Sequence, residues 1–210
     1  MKKVKFLQHE DEMVTEGKIM QQLHTHQCFP FLYGLVGKKG LIMELIANND
    51  GSISQSVHQM FFPEEPITKH LKIIVFQIID AFNYLHGKGF LHNDIHGGNI
   101  IIRDHKFVKV IDFGKVTLLS KPLKYRLTKE KQKLYNARHK HLAYELRNIP
   151  DSKQSIQTDI YSIGFLFQKY FTRIVKHRTF SKVVSRMVFI NPEMRPSLKT
   201  VYLEIDQSSF

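Results

Sequence analysis

The sequence predicts an α+β fold, with a short β-rich part over residues 1–47 and a larger, mainly helical part over residues 48–210. Three observations lead there. Between Pro66 and Gly87, the residues Leu71, Ile74, Val75, Ile78, Ile79, Phe82 and Leu85 recur at helical spacing and form one apolar stripe, which predicts a long helix packed in a core. Ahead of it, Phe31–Val36 and Gly40–Ile46 flank the turn Gly37-Lys38-Lys39 as two strands. Behind it, the β-branched run Ile100-Ile101-Ile102, a turn at Asp104-His105-Lys106 and the stretch Phe107–Ile111 predict a hairpin that Asp112 closes.

The remaining elements follow in order. Val4–Leu7 reads as a short strand. Asp11–Leu23 reads as a helix whose apolar face carries Met13, Ile19, Met20 and Leu23, stopped by Gln27-Cys28-Phe29-Pro30. The turn cluster Asn48-Asn49-Asp50-Gly51 marks the boundary between the two parts. Ser52–Phe62 reads as a short helix closed by Pro63, and Gly87 suits the left-handed cap of the long helix.

Composition narrows the function classes. At 210 residues and 42% apolar, the chain can bury a sizeable core as one domain. Its single cysteine, Cys28, cannot form an internal disulfide and fits a reducing compartment, so a cytoplasmic or nuclear location is expected. The start MKKVKFLQHEDEM is charged and lacks the apolar core of a signal peptide, and no apolar run is long enough to span a bilayer. Lys and Arg number 31 against 19 Asp and Glu, a formal charge of +12, which favours acidic partners. Basic–aromatic repeats of the kind that stack on nucleic acid are missing, so neither nucleic acid nor a membrane is the expected partner.

The stretch Leu91–Gly114, LHNDIHGGNIIIRDHKFVKVIDFG, carries the chemistry. Asp94 follows the long helix, Asn99 lies five positions later, and Asp112 ends the hairpin. Phosphoryl transfer needs such a set: one carboxylate to orient a hydroxyl and accept its proton, a second carboxylate and an amide oxygen to hold Mg²⁺ against nucleotide phosphates. His92-Asn93-Asp94 with Asn99 resembles the catalytic loop of the eukaryotic protein kinase family, and Asp112-Phe113-Gly114 resembles its metal-binding triplet. The resemblance implies a two-lobed protein kinase-like fold, ATP and Mg²⁺ as cofactors, Asp94 as catalytic base, and Asn99 and Asp112 as metal ligands. His96 shares the catalytic loop with Asp94, at a position where protein kinases usually carry Lys.

Other stretches extend the likeness from about Val4 to Leu203. The block TEGKIMQQL…FPFLYG…LIMEL is similar to the second half of a kinase N-lobe. It implies Glu16 as the helix-C glutamate, Met43 as gatekeeper, and Glu44 to Ile46 as the hinge to adenine, with Ile101 as the adenine floor. Lys5 is the candidate for the phosphate-contacting lysine, although it lies closer to Glu16 than the family normally allows, and a plain terminal charge is the other reading. Lys3 then stands where the family places a small residue over the adenine. GxGxxG does not occur, so the expected N-lobe lacks a glycine-rich loop and is either truncated in the gene product or cut off in this sequence.

The basic stretch Lys115–Lys140 corresponds to the activation segment and would favour an acidic sequence around a protein substrate's hydroxyl. Ala143-Tyr144-Glu145 and Arg195 resemble the family's buried ion pair, and Asp159 the residue that holds the catalytic-loop backbone. Met20, Leu35, Phe113 and His92 match the internal apolar column based on Asp159. The short interval from Asp159 to Arg195 leaves little room for helix G. Three functions follow: a protein kinase for Ser/Thr rather than Tyr; a pseudokinase or decoy that binds other kinases or substrates; or a small-molecule phosphotransferase, because Asp94-Ile95-His96-Gly97-Gly98-Asn99 is also similar to the loop of aminoglycoside and choline kinases.

Overall fold

The structure, a computed structural model, describes residues 10–37, 40–60, 69–124 and 139–208. The expected strand Val4–Leu7 with Lys5, the turn residues Lys38 and Lys39, Pro63, and most of the basic stretch after Lys124 lie outside the described residues.

Helix α1 (Glu10–Leu23) buries Ile19, Met20 and Leu23 and packs on the antiparallel hairpin of β1 (Leu32–Val36) and β2 (Gly40–Met43). Gly17 permits that approach, since a Cβ there would lie 3.0 Å from Leu35 Cδ2 and 3.1 Å from Leu41 Cδ2. Leu35, expected inside the apolar column, packs against this helix yet stays 46% exposed. Strand β2 is shorter than expected and ends at Met43. Glu44 N–H still donates to Phe31 O at 2.8 Å, but Ala47 N–H then donates to Leu45 O and turns the chain away.

The expected helix over Ser52–Phe62 also contracts. Gln55 and Ser56 form β3, pairing with Ile102 and Ile101, and only Val57–Met60 is helical (α2). Backbone pairing to a neighbouring strand overrode the local helical pattern. Helix α3 (Leu71–Gly87) buries every residue of the predicted stripe. Its end corrects the expected cap: Lys88 caps the helix, and Gly89, not Gly87, takes the left-handed conformation at φ +81.

From there β4 (Phe90–Leu91) pairs with β7 (Thr117–Leu118), and β5 (Ile100–Arg103) with β6 (Phe107–Val110), giving a three-stranded sheet of order β3-β5-β6. Helices α4 (Tyr144–Asn148), α5 (Ile156–Tyr170), α6 (Arg178–Met187) and α7 (Leu198–Asp206) follow, with a 3-10 turn at Pro192–Met194. Gly164 sets the closeness of α5 and α6, because a Cβ there would fall 2.5 Å from Met187 Cβ. Residues 171–177 join these two helices without another, so the interval expected to be short of helix G is filled by a plain connection. One apolar core runs through α1, α3, α5, α6 and α7, and no described helix is long and apolar enough to cross a membrane.

Candidate active site

The site is anchored from below by the first turn of α5. Ser155 and Thr158 form a reciprocal capping box there, which places Asp159 at the helix start with its carboxylate buried. That carboxylate accepts from His92 N–H at 2.8 Å and Asn93 N–H at 3.0 Å, and His86 Nε2 lies 3.0 Å from it. The loop after β4 is thereby fixed in place. Asn93 takes φ +66, a conformation that Asn tolerates better than most residues. Its side-chain Nδ2 donates to Lys115 O at 2.9 Å, Thr117 Oγ1 at 3.0 Å and Leu91 O at 3.2 Å, tying the loop to the segment that follows Gly114.

Asp94 therefore sits at a rigid position, with its side chain 11% exposed. Lys115 Nζ lies 2.8 Å from its Oδ2, His141 Nε2 3.7 Å from Oδ1 and His96 Nε2 3.8 Å from Oδ2. Burial alone would raise its pKa, but the facing His141, Lys115 and His96 together hold it well below the usual carboxylate range. At 3.7 Å His141 is beyond a normal hydrogen bond, so the Lys115 pair is the dominant contact. His96 Nδ1 accepts Gly98 N–H at 3.1 Å, which leaves the proton of the neutral ring on Nε2, toward Asp94. Burial holds the His96 pKa below its ordinary value.

Asn99 and the backbone next to Asp112 meet beside it. Asn99 Nδ2 donates to Asp94 O at 2.9 Å, which leaves its amide oxygen out of that bond, and Asn99 O accepts Ile111 N–H at 3.0 Å. Asp112 follows with φ +67, and Gly114 N–H approaches its Oδ1 at 3.4 Å. An amide oxygen and a carboxylate are hard oxygen donors of the kind that suits Mg²⁺, which takes few protein ligands and keeps water and substrate phosphates. Glu16 of α1 joins the group: its Oε1 accepts Phe113 N–H at 3.1 Å. The rings of Phe113 and His92 lie 5.8 Å apart in the core below, where burial holds the His92 pKa under its ordinary value.

The second half of the predicted set lines the hairpin side. Met43 is half-buried against the core at the end of β2. Glu44 is tied down: its Oε2 lies 2.7 Å from Lys109 Nζ and accepts Phe31 N–H at 3.1 Å. Lys109 is the β6 partner of Ile101, so this ion pair links Glu44 to the strand paired with the one that carries the expected adenine floor. Ile46 O accepts Ser54 N–H at 3.1 Å. The loop is also braced from behind by Tyr170, whose hydroxyl lies 3.0 Å from His58 Nδ1 and whose ring would stand 2.8 Å from any Cβ at Gly97.

Asp94, His96 and Asn99 are thus joined by direct contacts, Glu16 bonds the backbone next to Asp112, Met43 and Ile101 lie on β2 and β5, Glu44 and Ile46 follow β2, and Lys5 is outside the described residues. A family model described as the protein kinase domain matches residues 1–194. The chain belongs to the protein kinase family. Over 59 residues, 28% of this chain, it is 34% identical to the serine/threonine-protein kinases NLK2 of Xenopus laevis and Xenopus tropicalis, covering 13% of each. Over 108 residues, 50% of this chain, it is 31% identical to a serine/threonine-protein kinase of Yarrowia lipolytica, covering 15% of that protein. The matched stretches are thus a small part of these relatives' own length.

Within this kinase domain, sequence reasoning did not single out Lys109, Lys115, His141 or Tyr170 as site residues. Lys115 had one available signal, its place directly after Asp112-Phe113-Gly114. The others come from far along the chain to reach their partners Glu44, Asp94 and Gly97, a separation that no local pattern encodes.

Proposed function

We propose that the chain is an ATP- and Mg²⁺-dependent protein kinase that phosphorylates Ser or Thr hydroxyls, with residues 1–47 belonging to the N-lobe and 48–210 to the C-lobe. The observation that carries this reading is the direct chain of contacts from Asp94 through Asn99 to the backbone beside Asp112. Asp94 accepts the hydroxyl proton while the hydroxyl oxygen bonds to the γ-phosphorus. The bond from that phosphorus to the bridging oxygen breaks, and its electron pair leaves with ADP. Asn99 and Asp112 would hold Mg²⁺, which neutralises charge on the phosphates when bound. Met43, Glu44, Ile46 and Ile101 form the adenine site, with Glu16 and Lys5 on the phosphate side, and His96 assists Asp94. The protein substrate meets the basic stretch after Lys115, which favours acidic residues around its hydroxyl. The lone, buried Cys28 supports an intracellular setting.

A second reading, a pseudokinase that binds other kinases or their substrates, is favoured by one observation: the Lys115 ion pair covers the proposed base. Thermal shift with ATP separates the two. Nucleotide at 100 times its Kd stabilises a folded protein by about 2.7 kcal/mol, and the kinase should show this shift only with Mg²⁺. Asp112→Ala is expected to remove the Mg²⁺ response while keeping the melting point without ligand. An undiminished response in the variant would take Asp112 out of the metal site.

Activity is expected to be independent of phosphorylation on the activation segment. Many protein kinases place Arg before the catalytic Asp to receive that phosphate; here Asn93 stands there and makes neutral amide bonds to Lys115 and Thr117 instead. A neutral amide cannot pair with phosphate as a guanidinium does. Replacing Ser120 and Thr128 by Ala and Tyr125 and Tyr135 by Phe, with Thr117 kept for its bond to Asn93, should leave the rate within about twofold, since charge-assisted coupling is not lost. A variant that is inactive while phosphorylated wild type is strongly active overturns this.

A further inference from the structure

We propose that Lys115 is a mobile cation that pairs with Asp94 when the site holds no nucleotide and moves onto the γ-phosphoryl oxygens when ATP binds. The inference rests on the phosphotransfer reading above and names a residue that reading does not use.

A carboxylate held 2.8 Å from an ammonium group is a weak proton acceptor, because protonating it would sacrifice the ion pair. For Asp94 to act as base, the pair must open. Of the three groups that face it among the described residues, Lys115 is the one able to leave. Its side chain is 54% exposed, whereas that of His141 is 14% exposed and the His96 ring is oriented by Gly98 N–H. The Lys115 backbone stays fixed, since its carbonyl accepts from Asn93 Nδ2 at 2.9 Å. Only the four-carbon stem has to swing, about an anchored Cα.

The destination follows from charge. Lys115 is three residues past Asp112 and its Nζ reaches Asp94 Oδ2 at 2.8 Å, so the residue spans the interval along the chain from the proposed metal ligand to the proposed base. The phosphoryl group being transferred must occupy that same interval, carrying negative charge spread over its equatorial oxygens. A cation there stabilises the transferring group, and its departure from Asp94 restores the carboxylate's basicity. Binding of the γ-phosphate would in this way switch on the base.

The test compares Mg²⁺-bound, non-hydrolysable ATP analogue with Mg²⁺-ADP by calorimetry on wild type, Lys115→Met and Lys115→Arg. Met keeps the length and removes the charge. Lys115→Met is expected to weaken the ATP analogue about tenfold or more, as for loss of a charge-assisted hydrogen bond, and to leave ADP unchanged. Lys115→Arg should recover part of the loss. ADP affinity doubles as the control for folding. An unchanged ratio of the two affinities in Lys115→Met, whether both hold or both fall, overturns the inference and leaves the kinase reading standing. Wild type that binds neither nucleotide overturns both together.

Discussion

Asp94→Asn is expected to lower the rate of phosphoryl transfer by about 10²- to 10⁴-fold, the usual contribution of a positioned general base. The replacement is isosteric and leaves the fold in place. The backbone of residue 94 still accepts from Asn99 Nδ2, and the loop stays bound to Asp159 through His92 and Asn93. An amide oxygen can still take a hydrogen bond from Lys115, but an amide cannot receive the substrate proton at neutral pH. Nucleotide affinity should persist, since Asp94 is not among the proposed adenine or metal contacts. Steady-state rates with a generic acidic Ser/Thr peptide, alongside the melting point of each protein, check the prediction. Rates within about threefold of wild type, too small for the loss of a general base, would remove Asp94 from the role.

The largest loss of stability is expected from Arg195→Ala, about 3–5 kcal/mol. Arg195 is buried, and its guanidinium is bonded through every nitrogen. Nη1 and Nη2 each lie 2.7 Å from a Glu145 oxygen, Nη1 also donates to Gln157 O, Nη2 to Ile190 O and Nε to Phe189 O. The plane also lies 5.0 Å from the Tyr161 ring centroid. Truncation strands the buried Glu145 carboxylate and leaves three carbonyls without their donor. These groups belong to α4, the start of α5 and the turn after α6, so their packing loosens together. The milder Arg195→Lys keeps the charge but cannot reproduce a bidentate fork, and it should recover little. Chemical denaturation measures the effect, and a midpoint within error of wild type would falsify the claim that this pair holds the helices together.

Much of the fold can be read from local order. Helix α3 was evident because seven apolar residues recur at the period of one helix face, and all of them are buried. The Glu145–Arg195 pair, the hold of Asp159 on the loop and the plain connection after α5 followed from motifs standing in their family order. Elements whose state depends on a distant partner were misjudged. Gln55 and Ser56 read as helix by themselves, but β5 offered them a strand to pair with. The helix ends at Gly87, but the left-handed turn falls on Gly89, where Leu119 N–H bonds Gly89 O and the chain enters β4 to pair with β7.

Local order was also enough to name the side chains suited to phosphoryl transfer. Asp94, Asn99 and Asp112 are close along the chain, and a short hairpin brings them together whatever surrounds it. The state of those groups was settled by folding in three dimensions. Lys115 neutralises Asp94, Lys109 holds Glu44, and Asn93 clamps the loop to Thr117. Each contact is set by where independent strands and turns bring their side chains in space. Charge and hydrogen bonding act over a few ångströms whatever the distance along the chain, and sequence spacing carries no record of that.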